Sequence, residues 1–163
     1  MTQTEKILAK LDEHKVEYEY VEHPPVMTID EFKQYEVYSM GLILKNLFLR
    51  DDTGKKTFLL TCRPDTKTDL GGLAKGFGVK KVSFASSDRL MKYLQLLPGA
   101  VSPMGLVFDE GKAVSMVFDA TLRGYEGKVG IHPGSNDATV FMTFGALCGF
   151  LEGIGVKFKF VEL

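Results

Sequence analysis

The sequence predicts an α/β fold: a single domain, residues 1–163, built on a mixed, mainly antiparallel, curved sheet surrounded by helices. Three observations carry this expectation. Short β-patterned runs recur along the chain, several of them joined as hairpins by turn residues, and capped stripes of helical spacing are interspersed among them. No G-x-G-x-x-G follows a strand, so a Rossmann fold is not expected. At 45% hydrophobic and 25% charged, 163 residues suit one sizeable core, whereas two domains would each be cramped.

Thr2 with Glu5 forms a capping box, and Ile7, Leu8 and Leu11 repeat on one face, predicting a helix to about His14. Val16 to Val21 alternates, which predicts a half-buried strand with Val16, Tyr18 and Tyr20 on one side; His23-Pro24-Pro25 stops it. Thr28 with Glu31 repeats the capping box for a short helix through about Tyr38. Leu42 to Arg50 reads as a buried central strand that turns through Asp51-Asp52-Thr53-Gly54 into Thr57 to Cys62. Thr68 or Asp69 opens a helix closed by Gly76 or Gly78, Val82 to Ala85 is a short strand, and Ser86 or Ser87 caps a helix ended by Pro98-Gly99. Leu106 to Phe108 and Ala113 to Phe118 read as another hairpin across Asp109-Glu110-Gly111. Val129 to His132 and Ala138 to Met142 are two more strands. Thr143 caps the last helix, and Gly153 and Gly155 release a final strand over Lys157 to Val161.

Composition excludes several classes. No apolar run approaches the ~18 residues that cross a bilayer, and Met1 to Lys6 lacks a signal peptide's charged and apolar regions, so a cytoplasmic protein without a membrane role is expected. Cys62 and Cys148 are far apart, and His14, His23 and His132 show no ligand spacing with them; neither a disulfide framework nor a metal site is indicated, and no cofactor motif is present. Net charge is −1, which argues against a general nucleic-acid binder such as a DNA-binding protein. Its distribution is uneven: residues 1–40 balance to −5, residues 41–92 to +6 and residues 93–163 to −2. The basic middle third suits a phosphate backbone if it gathers on one face, or it is ordinary solvated charge.

Within the apolar central run stands one polar pair, Lys45-Asn46. Alternation in a strand points the two in opposite directions, so one aims inward. A lysine there either snorkels to water along apolar surface or faces a cleft that receives an anion. Gly99-Ala100-Val101-Ser102-Pro103, between a helix end and a strand, is either an ordinary turn or a loop presenting backbone N–H groups to a carbonyl oxygen. His132, followed by Pro133, Gly134, Ser135 and Asn136, is a core histidine or a pocket residue; Thr28 is a helix cap whose loop could line a pocket. No G-x-S-x-G elbow, no Walker A and no cysteine in a nucleophile context is present, so an enzyme built on this chain works by positioning its substrate.

Lys45-Asn46 before an apolar strand, the G-x-x-x-P run Gly99 to Pro103, and His132-Pro133 with Asn136 and Ala138-Thr139-Val140 resemble the YbaK/prolyl-tRNA synthetase-associated editing domain family. Val21 to Val26 through Thr28 further resembles its free-standing ProX branch (PrdX, ProXp-ala). The likeness runs in order over nearly the whole chain; Gly134 and Ser135 are smaller than that loop usually carries. It implies a trans-editing deacylase acting on mischarged tRNA(Pro), with alanyl-tRNA(Pro) the expected ester. Alternatives are a cysteinyl-tRNA(Pro) deacylase and a non-catalytic tRNA-binding module of the same fold; a prolyl-tRNA synthetase or elongation-factor partner is left open. By resemblance, Lys45 holds the phosphate or ribose of the 3′-terminal adenosine, Asn46 shapes the same site, and Gly99, Ala100, Val101, Ser102 and Pro103 hold the aminoacyl carbonyl. Thr28, His132 and Asn136 bind substrate, and water oriented by the vicinal ribose hydroxyl attacks.

Overall fold

A computed structural model describes all 163 residues. Thr2 caps α1 (Gln3–Glu13) by accepting the Glu5 amide proton, and Ile7 and Leu11 form its buried face. Strand β1 (Glu19–Glu22) begins later than the alternation predicts: Tyr18 is instead tied to Asp12 at 2.9 Å and Tyr20 is exposed, because β1 is an edge strand with one covered face. Thr28 caps α2 (Ile29–Phe32), but the expected helix does not continue to Tyr38. Tyr35 is extended and a 3-10 turn follows over Glu36–Met40. The buried residues Phe32 and Val37 lie five apart, a spacing that one straight helix would not bring to the same face.

The central run also divides. Leu42–Ile43 is β2 and Lys45–Asp51 is β3, in different sheets, with Leu44 between them. Strand β4 (Thr57–Cys62) pairs antiparallel with β3 as the turn chemistry predicts, Lys45 opposite Cys62 and Arg50 opposite Thr57. Asp69 caps α3 (Leu70–Phe77), which closes on Gly78; β5 (Val82–Phe84) and α4 (Ser87–Leu94), capped by Ser86, follow. The predicted hairpin at 106–118 is absent. Pro103–Phe108 forms a 3-10 helix, Ser102 Oγ accepting from Met104 N, and four consecutive residues, Pro103 to Leu106, are buried there. Burial on every side favours a packed turn over a strand, and Asp109, whose carboxylate accepts from the Ala113 and Val114 amides, ends it. Strand β6 (Val114–Asp119), a 3-10 turn at Ala120–Leu122, β7 (Lys128–Ile131), β8 (Ala138–Thr143), α5 (Phe144–Gly153) and β9 (Phe158–Val161) complete the chain.

The strands form two sheets, in the orders β1-β8-β7-β2 and β5-β3-β4-β6-β9. Pairings β1–β8, β7–β8, β3–β4 and β3–β5 are antiparallel, whereas β2–β7, β4–β6 and β6–β9 are parallel. The main core lies between the sheets, α1, α4 and α5, with Phe118 fully buried against Phe144 and Phe158. Helix α3 covers the other face of the larger sheet through Leu73, Ala74 and Phe77. A small third cluster, Val26, Phe32, Val37, Ile43 and Phe141, joins the segment around α2 to the smaller sheet.

Gly130 on β7 keeps this junction tight. A Cβ there would stand 2.6 Å from Ile43 Cδ1 and 2.7 Å from Phe141 Cε1, while its carbonyl accepts the Leu44 amide at 3.1 Å. Gly130→Ala should therefore cost ~1–3 kcal/mol through overpacking. Urea denaturation checks this, and an unchanged midpoint would mean that the junction yields freely.

Candidate functional site

A cavity of about 180 Å³ opens where the chain passes from one sheet to the other. Val26, Met27, Thr28, Ile29 and Phe32 line one side, Ile43 to Asn46 another, Gly99 and Val101 a third, and His132 closes it. Thr28, Lys45, Asn46, Gly99, Val101 and His132, separated by up to 104 residues in sequence, thus meet at one place. Both members of the Lys45-Asn46 pair border this cavity, because it opens at the first residues of β3.

Each polar group has a definite state. Lys45 is half-buried; its ammonium donates to the Thr66 carbonyl and has no carboxylate partner, since the ion pairs of the molecule are Lys10–Glu13 and Lys33–Asp30. Asn46 Oδ1 accepts from Thr61 Oγ1 at 2.6 Å, which holds its amide on the wall. His132 Nδ1 lies 2.9 Å from the Ala138 carbonyl. A carbonyl only accepts, so Nδ1 carries the proton and Nε2, without a protein partner, is an acceptor open to the cavity. Burial lowers the His132 pKa below its ordinary value, and the nearby His23 adds to the effect. The ring stacks on Phe32, centroids 5.9 Å apart and planes 8° from parallel.

The loop at 99–103 divides its residues between wall and support. Gly99 (φ +88) stands where a Cβ would come 2.7 Å from Met27 Sδ. The Ala100 amide donates to the Leu97 carbonyl, whereas the amides of Gly99 and Val101 have no partner within the protein. Ala100, Ser102 and Pro103 are buried behind the wall. Asn136 is also behind it, its Nδ2 donating to the Val26 carbonyl at 2.9 Å, so that it secures the segment bearing Met27 and Thr28. The Thr28 hydroxyl accepts from the Glu31 amide, and Glu31 in turn accepts from the Met27 amide.

Sequence reading overlooked two groups of contributors. The apolar walls from Ile29, Phe32, Ile43 and Leu44 carry no motif of their own. His23, 6.1 Å from His132 between ring centroids, is fixed by Pro24 O and Thr139 Oγ1, each at 2.8 Å. Its place before Pro24-Pro25 was the available signal. Larger cavities of about 600 and 660 Å³ lie beside β9 and between α5 and the segment that follows α1, but neither is lined by any of the candidate site residues predicted from the sequence.

The arrangement suits a small acyl group: an apolar recess, unpartnered amides for a carbonyl oxygen, and one cation at the side. It supplies no protein nucleophile. Burial pushes the Cys62 thiol up to about 11, and the hydroxyls of Thr28 and Ser102 are committed to helix capping.

Residues 23–149 match the family described as Aminoacyl-tRNA editing domain. The chain is 43% identical over 163 residues to the Prolyl-tRNA editing protein ProX of Acetoanaerobium sticklandii, spanning 100% of this chain and 99% of that one. It is 32% identical over 149 residues to Prolyl-tRNA synthetase associated domain-containing protein 1 of Danio rerio, spanning 91% and 79% respectively. A solved structure described as a candidate trans-editing enzyme for prolyl tRNA synthetase shares the fold, with a TM-score of 0.71 at 20% identity over 100% of this chain and 98% of that one.

The state of His132 has a consequence for stability. With its folded pKa below the 6.5 of the ordinary group, the unfolded chain binds more protons, so stability is full above 6.5 and declines as pH falls through the folded value. His132→Asn keeps a donor for the Ala138 carbonyl and should flatten that decline. Urea midpoints from about pH 8 to about pH 5 test it, and identical slopes in both proteins would remove His132 as the source.

Proposed function

The chain belongs to the aminoacyl-tRNA editing domain family, and on that premise we propose that it is a trans-editing deacylase of mischarged tRNA(Pro) whose preferred ester is alanyl-tRNA(Pro). The observation that carries the choice of amino acid is the 180 Å³ cavity with its mainly apolar wall, well under the ~300–1,000 Å³ of ordinary small-molecule sites. Such a recess favours a methyl side chain over a ring. The need is a sieving one: a pocket shaped for proline rejects a smaller side chain by only ~1–3 kcal/mol, so a second, smaller site adds the missing discrimination.

In this reading Lys45 holds the phosphate or ribose of the terminal adenosine, and Asn46, fixed by Thr61, shapes the same side. The free amides of Gly99 and Val101 receive the ester carbonyl oxygen as it gains charge, the rest of the run to Pro103 holding them in place. His132 Nε2, a neutral acceptor, suits the substrate's ammonium, while Thr28 and Asn136 keep the Met27 segment over the recess. Water, oriented by the vicinal ribose hydroxyl, attacks the carbonyl carbon; the ester C–O bond breaks, and the ribose oxygen takes a proton. The tRNA body meets residues 41–92, whose 11 basic side chains outnumber 5 acidic ones and enter neither of the molecule's ion pairs.

Wild type should release alanine from tRNA(Pro) rapidly and leave prolyl-tRNA(Pro) intact, while Lys45→Ala lowers the rate by ~10²–10³-fold. Assays with alanyl-, cysteinyl-, seryl- and prolyl-tRNA(Pro) decide this; faster loss of cysteine would move the assignment to that ester, and bound tRNA that stays acylated would favour a non-catalytic module. Binding should also weaken with salt, log Kd rising by ~0.7–0.9 per tenfold salt for each phosphate neutralised. A flat response in a filter-binding titration would exclude the basic third as the tRNA surface.

A further inference from the structure

We propose that Asp119 and Thr66 are positioning residues that fix the Lys45 ammonium at the cavity. The inference rests on the reading of Lys45 given above, but its basis is the sheet itself. Lys45 on β3 lies opposite Cys62 on β4, and the parallel register of β4 with β6, Thr61 beside Phe118, brings Asp119 next to Cys62 on the far side. Directly opposed residues share a face, so the lysine and the carboxylate flank the small Cys62 side chain, two strand spacings or ~10 Å apart.

Thr66 closes that gap. Its carbonyl accepts from the Lys45 ammonium, and its hydroxyl donates to Asp119 Oδ2 at 3.4 Å. Asp119 is only 3% exposed, has no cation within ion-pair distance, and takes one further bond, from the Thr121 amide to Oδ1 at 2.9 Å. A buried carboxylate with so little compensation favours a positive charge nearby, and Thr66 ties it to the lysine at the cavity. Arg63 fastens the other end, donating to Thr121 Oγ1 at 2.9 Å and to the Thr121 carbonyl at 3.0 Å. Cys62, fully buried and protonated, does not compete for the ammonium.

The chain Lys45–Thr66–Asp119–Thr121–Arg63 therefore does two things. It restricts a four-carbon stem that would otherwise lose rotamer freedom when substrate arrives, and it holds the charge within reach of the ester-bearing end of the tRNA. Asp119→Asn removes the charge but keeps an oxygen for the Thr121 amide; Thr66→Val removes the hydroxyl link but keeps the carbonyl that Lys45 uses.

Steady-state deacylation of alanyl-tRNA(Pro) by wild type, Lys45→Ala, Asp119→Asn, Thr66→Val and the double variant Lys45→Ala/Asp119→Asn tests the proposal, with circular dichroism confirming folding. Expected is a fall in kcat of about 10-fold to 100-fold for Asp119→Asn at unchanged KM, a smaller fall for Thr66→Val, and a double variant no slower than Lys45→Ala alone. A merely structural role would instead multiply the two losses. If Lys45→Ala is impaired while Asp119→Asn and Thr66→Val turn over like wild type, or if the losses multiply, the positioning role is wrong and the site reading stands. Wild-type turnover by Lys45→Ala would overturn both.

Discussion

The Leu44 amide donates to the Gly130 carbonyl, and one residue later the chain has left the smaller sheet for the larger one. That handover governs the rest of the structure. A continuous strand from Leu42 to Arg50 would leave no gap between the sheets; dividing it at Leu44 opens a recess walled by the last residues of one sheet and the first of the other. The recess inherits rigidity from both, because Ile43 is locked against Phe141 and Val26, while Lys45 and Asn46 begin a ladder of six consecutive pairs with β4. Gly130 permits the approach, since any side chain there would press on Ile43 and Phe141.

Electrostatics at this recess are set by what each group lacks. Lys45 lacks a carboxylate partner at ion-pair distance and is steered by a carbonyl, which leaves its charge available to an incoming anion. His132 donates a hydrogen bond to the Ala138 carbonyl through Nδ1 and is kept neutral by burial, so its free nitrogen accepts. Gly99 and Val101 lack partners for their amides. A site assembled from unfilled capacities binds and polarises; under the proposed function the attacking group then comes from water and substrate.

Much of this was legible in the chain because it is local. Thr2, Thr28, Asp69, Ser86 and Thr143 each cap the helix that their spacing predicts, and the turn at Asp51 to Gly54 joins β3 and β4 in the predicted hairpin. The expected second hairpin does not form, for a physical reason. Leu106-Val107-Phe108 is apolar enough for a strand, yet Pro103 and the Ser102 cap start a 3-10 helix there, and β6 finds its partners in β4 and β9.

The family, the caps and the turns can be read along the chain, since they depend on side chains within a few positions of one another or on motifs in order. Long-range packing alone set the two-sheet division, the parallel pairings of β4, β6 and β9, and which residues of the run from Gly99 to Pro103 face the cavity. It also placed His23 beside His132 and Asp119 two strands from Lys45. Those arrangements join segments tens of residues apart, where packing and register choose among partners that local chemistry leaves equivalent.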